Sequence, residues 1–85
     1  MNKAWQVYIL TCADGTFYTG ITTDLKRRLN EHNSSGLGAK YTRGRRPVKL
    51  IYARRLKSKS LASKEEWRIK KMDRSEKMKM VKRKN

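Results

Sequence analysis

A small α/β fold, in which a three-stranded, largely antiparallel sheet is flanked by helices, follows from three observations. Side chains alternate from Val7 to Leu10 and again from Phe17 to Thr19, with Asp14-Gly15 between them as the residues a tight hairpin turn needs. A third alternating run, Val48 to Ala53, follows later in the chain. Apolar residues at helical spacing, Leu25 with Leu29 and then Leu61, Ala62, Ile69 and Met72, occupy the segments that remain. Eighty-five residues make one domain, 1–85, with little interior in which to hide a complex site, so its chemistry belongs on an open surface.

In strand one, Trp5, Val7 and Ile9 form one face and Tyr8 and Leu10 the other. Apolar groups on both faces place this strand in the middle of the sheet. Strand two brings Tyr18 close to Tyr8 and ends at Gly20, where a side chain would crowd whatever approaches the sheet. Asp24 then caps a helix running to about Asn33 and stopped by Ser34-Ser35-Gly36. On that helix Arg28 and His32 lie about 40° apart beside the leucine stripe, while Arg27 points away from it. Residues 34 to 47, SSGLGAKYTRGRRP, read as a loop longer than most connections in a compact domain, and its glycines, cations and aromatic ring form a phosphate-binding composition. Lys40, Tyr41, Arg43, Arg45 and Arg46, with Arg27 on the helix, are its candidate nucleic-acid contacts. It is not a P-loop, because no Gly-Lys-Ser/Thr opens a helix. Val48, Leu50 and Tyr52 form one side of strand three. Ser60 caps the next helix, and Asp73 with Glu76 makes a capping box for a last short helix holding Met78 and Val81. The polar tail from Lys82 to Asn85 is expected to fray.

Twenty-three Lys and Arg against seven Asp and Glu leave a formal charge of +16, which opposes compaction and favours a polyanionic partner. A solubilising surface would mix its signs, so nucleic acid is the expected partner. Cys12 is the only cysteine, which excludes an intramolecular disulfide and a cysteine-based zinc cluster and fits a reducing, cytoplasmic or nucleoid-associated setting. No signal-peptide apolar region is found, and no apolar run approaches the roughly twenty residues that span a bilayer, so no membrane role is expected.

VYIL around Tyr8, then nine intervening residues, then YTG from Tyr18 to Gly20 resemble the two signature blocks of the GIY-YIG endonucleases. Arg28, eight residues past Gly20, and His32, twelve past it, stand where that family places an arginine and a Tyr or His. The stretch GAKYTRGRRP resembles the connecting loop of its small stand-alone members and of its branched-DNA-cutting branch, and Ala62-x-x-x-Glu66 resembles its metal-binding helix. The chain departs from the family in reading VYI for GIY, in having Thr19 in place of Ile, and in having Met78 where an asparagine is found elsewhere. Helical periodicity alone leaves Glu65 and Glu66 both open as the metal ligand, and the resemblance selects Glu66.

The resemblance implies a GIY-YIG-like fold and a Mg²⁺-dependent DNA endonuclease, structure-selective or weakly sequence-specific, with a place in DNA repair or recombination. Mn²⁺ is a substitute ion, branched or duplex DNA the substrate (RNA remaining open), and a separate protein partner a source of specificity. Tyr8 would take a proton from the attacking water, Arg28 would clamp the phosphate, Tyr18 and His32 would orient phosphate or water, and Glu66 would hold the ion. The five are expected to face one shallow concavity. An ordinary phenol has a pKa near 10, so at neutral pH only about one in a thousand is ionised, a deficit of roughly 4 kcal/mol. Nearby cations or a metal hydroxide must make that up. The alternative is a non-catalytic nucleic-acid-binding protein on the same scaffold.

Overall fold

A computed structural model of the chain describes residues 4–34 and 40–84. Strand β1 (Trp5–Thr11) pairs antiparallel with β2 (Phe17–Thr22) on one side and with β3 (Lys49–Leu56) on the other, so the sheet order is β2-β1-β3. Gly15, at φ 83°, takes the left-handed turn position. The Asp14 carboxylate braces the turn by accepting from the Thr16 backbone N–H at 3.1 Å and from its hydroxyl at 2.6 Å.

Strand β1 is central, as its two apolar faces require, and each face has its own core. Val7 and Ile9 pack with Tyr52, with Ile69 of helix α3 (Lys59–Lys70) and with Val81 of helix α4 (Arg74–Lys84). Tyr8, Leu10, Cys12 and Val48 form the other core, against Leu25 and Leu29 of helix α1 (Leu25–Ser34). The sheet is thus a middle layer, with α1 on one side and α3 and α4 on the other.

Two core assignments differ from the sequence expectation. Ile9 pairs with Tyr52 but Leu10 pairs with Leu50, so Ile51 is an extra residue in β3. Such a bulge reverses which residues point to which face. Val48 and Tyr52, expected on one side, therefore enter opposite cores. On α3 the buried positions are Ala62 and Ile69, whereas Leu61 is 44 % exposed. Ala62 is small enough for close helix-to-sheet approach, and Leu61, about 100° away on the wheel, falls outside that face.

Helix ends follow local chemistry. Asp24 accepts from the Arg27 backbone N–H at 3.1 Å and caps α1. Ser58, rather than Ser60, caps α3 by accepting from the Leu61 N–H at 3.2 Å. Asp73 and Glu76 exchange backbone-to-carboxylate bonds of 3.2 and 2.8 Å, a reciprocal capping box for α4. Helix α4 continues through the basic tail to Lys84. The segment expected to be all loop contains a short helix, α2 (Lys40–Arg43), while residues 35–39 lie outside the described residues.

Candidate functional site

Tyr8 and Gly20 are cross-strand partners, and the Tyr8 ring lies over the glycine. A Cβ at position 20 would stand 2.6 Å from the Tyr8 hydroxyl and 2.8 Å from Cζ, inside any tolerable contact. Gly20 is therefore required by the tyrosine opposite it rather than by its own backbone. Tyr18, two residues earlier in β2, tilts against Tyr8 with centroids 6.4 Å apart.

His32 projects from α1 onto both rings, with its centroid 6.0 Å from Tyr8 and 5.1 Å from Tyr18. Its two nitrogens have different partners: Nε2 lies 2.9 Å from the Tyr8 hydroxyl, and Nδ1 lies 2.9 Å from the Thr42 hydroxyl on α2. Tyr8, His32 and Thr42 are each at most 1 % exposed. Phenol, imidazole and hydroxyl form one buried hydrogen-bonded chain linking β1, α1 and α2.

Arg28 lies one helical turn before His32, 26 % exposed against 66 % for Arg27, which bears out its inward register. Its Nη1 donates to Glu31 at 3.0 Å, and the guanidinium also reaches the Tyr8 hydroxyl. Burial and the neighbouring Tyr18 nevertheless push the Tyr8 phenol up to about 12, with Arg28 pulling the other way and the Glu66 charge adding to the rise. The expectation that cations lower this phenol is corrected: desolvation of the phenolate outweighs one guanidinium. Burial, with the Arg28 and Arg46 charges and against Glu31, drives His32 down to about 4, so its imidazole is neutral at physiological pH.

Helix α3 supplies the carboxylates, and although its Ile69 packs on the sheet face opposite Tyr8, Glu66 is close enough for its charge to act on the phenol. The two glutamates, left open by periodicity, have different surroundings. Glu65 is clamped by Arg68 at 2.7 and 2.8 Å and by Arg54 at 3.2 Å, and these guanidiniums, Arg68 first, hold its carboxyl below the usual range. Glu66 is 24 % exposed and faces Lys70 at 3.4 Å. Among the described residues no group of three His, Cys, Asp or Glu side chains gathers as a metal cage.

The basic segment is tied into the fold. Arg46 donates from Nε to the His32 carbonyl at 2.6 Å and from Nη2 to the Glu31 carbonyl at 3.4 Å, capping the end of α1. Arg45 pairs with Asp14 at 2.9 Å, and its carbonyl accepts from the Ala13 N–H at 2.8 Å, fastening the segment to the hairpin turn. Arg43 is exposed, and the side chains of Lys40 and Tyr41 lie outside the described residues. Thr42 is the site residue that sequence reasoning missed. A lone threonine among cations has no periodic or motif signal, and only the fold brings it to the imidazole ten residues before it.

A GIY-YIG catalytic domain profile matches residues 4–80, and the chain belongs to that family. Its members are generally endonucleases, and the domain implies nucleic-acid binding. A UPF0213 protein of Desulfotalea psychrophila is 56 % identical over 81 residues, covering 95 % of this chain and 74 % of its own length. Another, of Syntrophus aciditrophicus, is 52 % identical over 82 residues and covers 96 % of this chain and 93 % of its own. The solution NMR structure of an Enterococcus protein (E. faecalis) matches with a TM-score of 0.65 at 44 % identity, covering 95 % of this chain and 85 % of that one. That of a UPF0213 protein from Bacillus halodurans matches at 0.60 and 46 %, covering 93 % and 83 %. Among the described residues no helix is long and apolar enough to cross a membrane.

Proposed function

We propose that this protein is a divalent-metal-dependent DNA endonuclease, structure-selective or weakly sequence-specific, acting in DNA repair or recombination. The observation that carries this reading is the buried Tyr8–His32–Thr42 chain with Arg28 at its open end. With Arg28 beside the Tyr8 oxygen, the tautomer assigned to His32 in this mechanism is the one in which the phenol donates to Nε2 and Nδ1–H donates to Thr42. The Nε2 lone pair is then ready for the Tyr8 proton. Forming a free phenolate at pH 7 from a pKa of about 12 costs about 7 kcal/mol. Leaving the proton on an imidazole of pKa about 4 costs about 4 kcal/mol at pH 7, so a relay through His32 avoids the free phenolate at a cost that charge stabilisation at the phosphate has to offset. As the attacking water adds to phosphorus, its proton passes to the Tyr8 oxygen and the Tyr8 proton passes to Nε2. The bond from phosphorus to the leaving 3′ oxygen breaks, solvent protonates that oxygen, and His32 returns its proton to water. Arg28 holds the phosphate as its charge grows, with Tyr18 beside it.

Glu66 is the residue to hold Mg²⁺ or Mn²⁺. Both oxygens of Glu65 are occupied by guanidiniums, whereas Glu66 faces one lysine. Mg²⁺ keeps several waters and shares substrate oxygens, so a single carboxylate suits it. Bound there, the ion would supply electrostatic stabilisation of the charge that develops on the reacting phosphate.

One observation favours the non-catalytic binding reading: Tyr8 is 1 % exposed, so water reaches its hydroxyl only after local opening. Nicking of supercoiled plasmid and of branched duplexes with Mg²⁺ or Mn²⁺ separates the two. The wild-type protein should nick, and Tyr8→Phe, Arg28→Ala and Glu66→Ala should each lose about a hundredfold or more in rate. Equal residual nicking in all four identically prepared proteins would indicate a contaminating nuclease and leave the binding reading standing.

A further inference from the structure

The residue after Glu66 is the most exposed large apolar side chain described: Trp67 is 62 % exposed on the outer face of α3. Its indole walls a shallow groove of about 590 Å³ shared with Ser60, Ser63, Lys64 and Arg68, and the Lys71 ammonium sits 3.7 Å from the ring centroid. Nothing in the folding of α3 needs this ring, since the helix packs through Ala62 and Ile69. A single exposed ring is ordinary on a protein surface, and what sets this one apart is the groove it walls together with the cations around it.

Charge selects the occupant. The ionised groups around the ring, Lys64, Arg68 and Lys71, are cations, and the nearby carboxylates are held by Arg54, Arg68 and Lys70. A second copy of this chain would bring another +16 to the patch and be repelled. A polyanion that also presents flat π-surfaces fits, which describes a nucleic-acid strand with unpaired bases; a blunt duplex keeps its base faces stacked inside. Trp67 follows Glu66 by one helical step, about 100° and 1.5 Å. A base on the indole would therefore belong to a nucleotide near the phosphate that Arg28 holds beside Glu66.

We propose that the groove at Trp67 is a nucleobase site, in which an unpaired base stacks on the indole while Lys64 and Lys71 hold adjacent phosphates. This rests on the nuclease reading in taking nucleic acid as the ligand, and it assigns preference to strands with an unpaired nucleotide beside the scissile bond. Fluorescence anisotropy in EDTA, where no cleavage occurs, tests it with a labelled single strand, the same strand carrying abasic positions, and a blunt duplex. Trp67→Ala should weaken single-strand binding about 5- to 150-fold, the span of one lost base stack. Duplex binding should stay within about twofold, Trp67→Phe should keep most of the affinity, and the wild type should bind the abasic strand more weakly than the intact one. Because the ring is exposed, these variants keep the fold. Equal losses on single strand and duplex, or equal wild-type affinity for abasic and intact strands, would overturn the site while leaving the nuclease reading in place. A wild-type protein that binds none of the three would overturn both.

Discussion

Acid should destabilise this protein over a range set by one side chain. His32 is the only histidine, is fully buried, and has a folded pKa near 4 against an ordinary 6.5. The sign follows from which state binds the proton. Below 6.5 the unfolded chain takes up a proton that the folded chain refuses until about pH 4, so stability is complete above 6.5 and falls progressively to 4. Going from about pH 7.5 to about pH 5, the linkage integral gives a loss of about 2 kcal/mol from this group alone. In so small a domain, that is a substantial share of the total. Urea unfolding at the two pH values measures it, and His32→Asn, whose side chain does not titrate, should remove most of the difference. Asp14 and Glu65, both held below the usual carboxylate range, lose their contributions at lower pH and leave this window largely clear. A single-histidine NMR titration reads the same group directly, with its Cε1 proton expected to show no titration above about pH 5. A His32 signal titrating near 6.5, or an unchanged pH slope in His32→Asn, would refute the buried chain.

Gly20→Ala should destabilise by about 1–3 kcal/mol, since the buried Tyr8 ring would have to shift to clear the new Cβ; Gly20→Ala with Tyr8→Leu should recover part of that loss in a urea-unfolding double-mutant cycle. Thr42→Val keeps the shape but removes the hydroxyl 2.9 Å from His32 Nδ1, so a loss of about 1–3 kcal/mol is expected, along with a changed ¹⁵N imidazole signature that Thr42→Ser restores. Thr19 buries its hydroxyl without a hydrogen-bond partner among the described residues, so Thr19→Val should raise stability by about 1 kcal/mol and the melting temperature by a few degrees.

Features built from neighbouring residues were legible in the sequence. Asp14-Gly15, the Asp24 cap and the Asp73/Glu76 box each depend on residues within a few positions, and the central place of β1 follows from its two apolar faces. What could not be read depends on partners distant in sequence. The extra residue at Ile51 is visible only against β1, and it moves Tyr52 to the other core. Ser58 and Ser60 are equivalent as sequence caps until the start of α3 is known. Arg45 and Arg46 read as phosphate contacts because composition does not reveal that Asp14 and the end of α1 already engage them. Among the candidate site residues, Tyr8, Tyr18, Arg28 and His32 do come together around Gly20. The direction of the Tyr8 shift was not foreseeable, because it is decided by burial, which only the packed fold supplies.

The most direct test of the proposed chemistry sets cleavage against affinity in Glu66→Ala. Glu66 carries a negative charge and pairs with Lys70, so its removal should leave DNA affinity unchanged or slightly tighter, measured by anisotropy in metal-free buffer. Single-turnover cleavage with saturating Mg²⁺ on the same DNA should fall to background. Cleavage that persists in Glu66→Ala at the wild-type rate, or falls only in proportion to lost affinity, would contradict a metal-assisted nuclease centred on Tyr8, Arg28 and Glu66.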